Sequence, residues 1–108
     1  MNVEYFQQIR AQGENISVEF KECKTALNKD VYETVCGFLN RAGGEILLAV
    51  KNSCEVVGVA PDKIEQIHKE FVTTINNANK LVPPTYLTIE QVIINESSVL
   101  YIYVPPSS

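Results

Sequence analysis

The chain lacks most of the marks that would assign it a chemistry at once. Its 108 residues hold one histidine, His68, and three cysteines, Cys23, Cys36 and Cys54. None of these stands at the spacing of a zinc knuckle or a CxxC redox pair. Three cysteines cannot all pair within one chain, so they read as reduced thiols of a cytoplasmic protein, with no metal site and no cofactor expected. Neither GxGxxG nor GxxxxGK[ST] occurs, which removes the common nucleotide-binding loops. No apolar run approaches the roughly 18 residues of a membrane span. The opening "MNVEYFQQIR" carries acid and amide groups where a signal peptide has basic and then apolar blocks. There is no internal repeat or low-complexity tract, and no lysine or arginine follows Lys80.

What is present is ordinary in amount and uneven in placement. Apolar residues make up 45% and charged residues 20%, as in a soluble globular domain, and the length suits one domain with its own core. The net charge of −4 argues against a general nucleic-acid coat protein, which would be strongly basic. Residues 21–51 nevertheless carry Lys21, Lys24, Lys29, Arg41 and Lys51 against Glu22, Asp30, Glu33 and Glu45. A phosphate-facing surface would have to come from this front half.

Periodicity gives the elements. Val3, Phe6 and Ile9 mark a short first helix that Gly13 ends. In "NISVEFKE", Ile16, Val18 and Phe20 alternate with Ser17, Glu19 and Lys21, a half-buried strand with the polar set facing outward. "DVYETVCGFLNRA" reads as a helix with Asp30 and Glu33 as a capping box and Val31, Val35, Phe38 and Leu39 as its apolar stripe. Gly43 fits the left-handed position that closes helices. "EILLAV" is apolar on both faces and reads as a central strand, with "VVGV" as its hairpin partner beyond the turn "KNSCE". Pro61 and Asp62 start a helix whose stripe is Ile64, Ile67, Phe71 and Ile75, widened by Val72 and ended by "VPP". His68 reads as a partly buried residue of that helix. "TYLTIEQVII" and "VLYIYV", joined by "NESS", form a hairpin, with Tyr101 and Tyr103 packing on one face. The expected fold is a two-layer α+β domain with a mixed sheet of four or five strands and helices mainly on one face. Residues 1–104 read as that single domain, and "PPSS" at 105–108 as the start of a linker to a further module.

A glutamate before "VEFK", a helix ending F-x-N-x-x-GG, an apolar strand, a polar turn and "VVGV" together resemble the AlbA-like domain of the Schlafen group. That domain occurs in bacterial transcriptional regulators and animal Schlafen proteins. The resemblance runs from Glu14 to about Val59 and continues more weakly to Val104. It implies nucleic-acid binding, DNA ahead of RNA, in a domain that often precedes regulatory or ATPase-like modules. In some Schlafen proteins it implies a metal-dependent endoribonuclease served by three acids. Carried over, two of these are Glu14 and Glu19; the third falls at Lys51 or Asn52, and neither is an acid. A divalent ion held by several carboxylates is what such hydrolysis needs.

The expected function is therefore a non-enzymatic DNA-binding domain of a transcriptional regulator. The candidate contacts are Lys21, Lys24, Lys29, Arg41, Lys51 and Asn52, with the backbone of the Gly43–Gly44 turn, around a positively lined hollow at the ends of the central strand. Two readings rival it: a degenerate ribonuclease using Glu14 and Glu19, and a dimerisation or protein-interaction module that kept the fold. No membrane partner is expected; a homodimer is compatible with the apolar C-terminal hairpin.

Overall fold

The computed structural model describes residues 2–76 and 87–106. The elements run α1 (Val3–Gln12), β1 (Val18–Lys21), α2 (Val31–Leu39), β2 (Gly44–Leu48), a 3-10 turn (Pro61–Lys63), α3 (Ile64–Asn76), β3 (Thr88–Ile94) and β4 (Ser97–Val104). The strands form one open mixed sheet in the order β1-β2-β4-β3, with β1 parallel to β2 and the other pairs antiparallel. This is the expected α+β class, with four strands. The "VPP" helix stop and the first two residues of "TYLTIEQVII" lie outside the described residues.

Side chains alternate across a sheet, so the register assigns each helix to a face. Glu45 and Leu47 share one face with Phe20 and Tyr101. Helix α1 covers that face, since the Tyr5 hydroxyl donates to Glu45 Oε2 at 2.7 Å. Gly44, Ile46 and Leu48 point the other way, toward α2, whose Phe38 ring lies against Gly44. Helix α3 flanks this same face and shares a hollow with Gln91 of β3. Ile46, Leu47 and Leu48 are fully buried, as an apolar strand covered on both sides requires.

Local chemistry explains most boundaries. Asn2 caps α1 by accepting from Tyr5 N–H at 2.7 Å, and Gly13 ends it at φ 79°. Gly43 (φ 83°) closes α2, donating its N–H to Phe38 O at 2.9 Å. Asn95 and Glu96, both at positive φ, make the two-residue turn of the β3–β4 hairpin, so β4 begins at Ser97, inside the stretch "NESS".

Several expectations need correction. Ile16 is 76% exposed and precedes the strand. Asn15 and Val18 exchange backbone hydrogen bonds, and Asn15 Oδ1 accepts from Ser17 N–H and Oγ–H, so the chain turns sharply there. The segment "VVGV" is not a strand. Ala49 sits at φ 74°, which bends the chain out of β2. Toward β2 the segment keeps an isolated Val50–Val56 bridge and two bonds, from Val57 and Gly58 N–H to Ala49 O, while Val59 N–H donates to Ser98 O of β4 at 2.7 Å. Asp30 makes no side-chain cap, because its carboxylate turns to an ammonium group instead. His68 and Val72 are exposed, so the buried stripe of α3 is narrower: Ile67, Phe71 and Ile75, with Ile64 half-buried. Tyr101 is buried while Tyr103 is 46% exposed.

Candidate nucleic-acid interface

Strands β1 and β2 run parallel, so the chain leaves both at the same edge of the sheet. Crevices form where parallel strands end and their loops splay. Here the loop after β1 (22–30) and the turn after β2 (51–55) border a cleft of about 660 Å³. Glu14 reaches it because the Asn15–Val18 turn folds the preceding chain back along β1. Its Oε2 accepts from Phe20 N–H at 3.1 Å, satisfying a donor on an outer strand. Glu14 and Glu19, five apart in sequence, thus line one cleft.

Lys21 lies in the floor. Its side chain is only 6% exposed, and Nζ stands 2.9 Å from Asp30 Oδ1 and 3.4 Å from Glu19 Oε2. The sequence placed Lys21 outward with Glu19; the two do share a face, but α2 and the loop before it cover the Lys21 end. An ammonium removed from water needs such partners. Phosphate does not reach a group so enclosed and neutralised. Lys51 is more open, with its side chain 44% exposed and Nζ 3.2 Å from Glu55 Oε2 and 4.0 Å from Glu22 Oε1. Asn52 is exposed beside it on the rim. Lys24 and Lys29 stand exposed in the 22–30 loop, with no ion pair among the described residues. Arg41 is exposed on a neighbouring hollow of about 260 Å³ that shares Glu19 and Asp30 with the cleft.

The cleft brings together Lys21, Lys51 and Asn52, does not take Lys24 and Lys29 of the 22–30 loop into its lining, and leaves Arg41 next door. The Gly43–Gly44 turn is not part of it. That turn sits at the opposite end of β2, and both glycines are buried. Nor is the hollow positively lined. Glu14, Glu19, Glu22 and Asp30 line it with Lys21 and Lys51, so acids outnumber amines, and the exposed Lys24 and Lys29 are outside its lining. Sequence reasoning missed Glu22, Asn28, Asp30 and Ser53 as lining residues. For Asp30 the available signal was a lysine and a glutamate two apart in β1, whose shared face needs a counter-charge once covered.

A divalent metal of the kind the resemblance implies does not fit these residues. Glu14 Oε2 holds a strand N–H, Glu19 faces the Lys21 ammonium, and the third position offers an amine or an amide. Among the described residues no group of three or more His, Cys, Asp and Glu is arranged to hold a metal ion. The thiols are all free. Burial, with nearby Glu70 adding to it, pushes the Cys23 thiol up to about 11. On the other face of the sheet, Tyr5 and Tyr101 both donate to Glu45 Oε2, at 2.7 and 2.6 Å. That hydrogen bond, with some burial, raises the Tyr5 phenol to about 12, and burial followed by the same carboxylate raises Tyr101.

An open four-stranded sheet with a charged cleft beside its parallel pair defines a small α+β domain of the Schlafen type. Residues 14–108 match the family model described as Schlafen, AlbA_2, and the chain belongs to that family. Membership associates the domain with nucleic acid. No curated protein matches the sequence. Among solved structures, the N-terminal domain of a RecG-related protein from Nitrosomonas europaea, determined by NMR in solution, is similar with a TM-score of 0.67. The two are 21% identical, and the match covers 97% of this chain and 72% of that one, a likeness of fold. No helix among the described residues is long and apolar enough to cross a membrane.

Proposed function

We propose that this chain is a non-enzymatic DNA-binding domain of a transcriptional regulator, working in the cytoplasm. One observation carries the reading: the parallel β1–β2 pair releases two loops at one end, one placing Lys51 and Asn52 in the cleft lining and the other carrying the exposed Lys24 and Lys29. Lys24 and Lys29 have no carboxylate partner to displace, so phosphate contact costs them little beyond shed counterions. The carboxylates of the floor repel phosphate and keep a nucleic-acid backbone on the rim, where Asn52 can donate to phosphate or base edges. Arg41 extends the basic path to the adjoining hollow. The structural neighbour's name, which relates it to an ATP-dependent DNA helicase, supports DNA over RNA as the partner.

The test is fluorescence anisotropy with duplex DNA and duplex RNA across a salt series. DNA binds more tightly, affinity falls steeply with salt, and replacing Lys24, Lys29 and Lys51 together by alanine lowers the salt slope by about 3 if each makes one phosphate contact. No binding at low salt, or an unchanged triple variant, ends the reading. Incubation with Mg²⁺ or Mn²⁺ leaves both nucleic acids intact; metal-dependent cleavage that Glu19→Gln abolishes would overturn the non-enzymatic part.

A further inference from the structure

The two outer strands of the sheet are protected very differently. β1 has four residues, carries Glu19 and Lys21, and has the N–H of Phe20 closed by Glu14. Short length, charge and a covered donor are the usual defences of a sheet edge. β3 has seven residues, Thr-Ile-Glu-Gln-Val-Ile-Ile, with no proline, no lysine and a single charged residue. It pairs with β4 along its whole length, and no strand among the described residues pairs with its outer edge. Ile93 is 60% exposed. It shares a face with Gln91, which lines a hollow of about 660 Å³ against α3 with Pro61, Ile64 and the 38% exposed Val72.

We infer that a second copy of this chain covers this edge, the two β3 strands pairing antiparallel about a two-fold axis at Gln91 to make a continuous eight-stranded sheet. The strand is its own complement in that register. Ile89 of each copy faces Ile93 of the other, Gln91 faces Gln91, Glu90 faces Val92, and Thr88 faces Ile94. Each exposed Ile93 thereby gains one apolar cross-strand partner, two such pairs in the dimer, and no like charges stand directly opposite. A two-fold contact must match one surface to itself, and in this register the exposed Ile93 of each copy meets Ile89 of the other while Gln91 meets Gln91. This surface lies away from the cleft, so it goes beyond the nucleic-acid reading and stands or falls separately.

Salt separates the two. Each copy carries a net charge of −4, so screening strengthens self-association while it weakens nucleic-acid binding. Sedimentation velocity and size-exclusion chromatography with light scattering should give twice the chain mass at about 100 µM, a concentration that suits a small interface, and the dimer fraction should rise with salt. Ile93→Lys should give a monomer with an unchanged circular dichroism spectrum. Adding Ile89→Glu to it should restore the dimer, because the register places the two substituted positions opposite each other. Ile16→Lys, at an exposed isoleucine outside the sheet, should leave the dimer intact. A wild-type monomer at that concentration overturns the inference, as does a dimer that Ile93→Lys leaves whole.

Discussion

Gly43 and Gly44 open β2 beneath the Phe38 ring and the backbone of Pro105 and Pro106, whereas Lys51 and Asn52 follow it at the lip of a charged cleft. At the first end, space decides which residue is allowed. A Cβ on Gly43 would lie 2.5 Å from Val104 O and 2.8 Å from Pro106 N, and one on Gly44 2.6 Å from the Phe38 ring. At the second end, charge decides. The glycine turn looked like a phosphate nest in the sequence because a nest and a crowded chain reversal both need residues without a Cβ. What tells them apart is whether the N–H groups face solvent, and the Gly43 N–H is already given to Phe38 O.

The largest expected effect breaks the closed end. Gly43→Ala puts a side chain at φ 83° and into backbone that has no rotamer to move, and should cost about 3 kcal/mol in urea unfolding. Gly44→Ala meets a ring that can shift and should cost about 2 kcal/mol. Lys51→Ala, at the open end, should change stability by less than about 0.5 kcal/mol while weakening DNA binding. If Gly43→Ala folded normally and lost only affinity, the contrast between the two ends would be reversed.

That contrast marks how far the sequence could be read. Helix stripes, the doubly covered β2, the hairpin and the family were legible, because period and apolar density report burial directly. Lys21 was not. A lysine alternating with Phe20 reads as outward, and the side it points to is solvent only if nothing covers it; α2 and its preceding loop do. Asp30 was misplaced for the same reason, since its preference for Lys21 depends on a residue nine positions earlier. The failure of "VVGV" to become a strand turns on one left-handed alanine, Ala49, which no propensity foretells. In each case long-range placement overrode a sound local signal.

The face opposite the cleft gives the next effect in size. Tyr101→Phe removes the 2.6 Å bond to Glu45 and should cost about 1 kcal/mol, with Tyr5 still bonded to the same oxygen. Tyr5 adds a pH signature. Its folded value, about 12, lies above the ordinary 10.0, so its contribution is complete below about pH 10 and is lost as pH rises through 12. The gap in melting temperature between wild type and Tyr5→Phe should therefore be constant up to pH 9 and close toward pH 12. A gap that widens with alkali would mean the phenol is favoured as the anion, against the geometry at Glu45.

The smallest expected effect probes the cleft floor. Asp30 stands before α2 at φ −90°, ψ 5°, outside the extended range from which a side chain turns back to cap a helix, so its carboxylate serves Lys21 while its carbonyl accepts from Thr34 N–H at 3.0 Å. Its own side chain is 61% exposed, and Glu19 remains 3.4 Å from the ammonium when Asp30 is neutralised. Water screens the lost charge and the second carboxylate keeps the ammonium paired. Asp30→Asn should therefore cost no more than about 0.5 kcal/mol. Lys21→Met should be close to neutral, since two half-open carboxylates can turn to solvent while the stem is replaced by an apolar one. A double-mutant cycle between the two positions should give a coupling below about 1 kcal/mol that shrinks in salt. A coupling near 3 kcal/mol, insensitive to salt, would mean that the floor behaves as a sealed charge network, and the open end of β2 would then be as rigidly specified as the closed one.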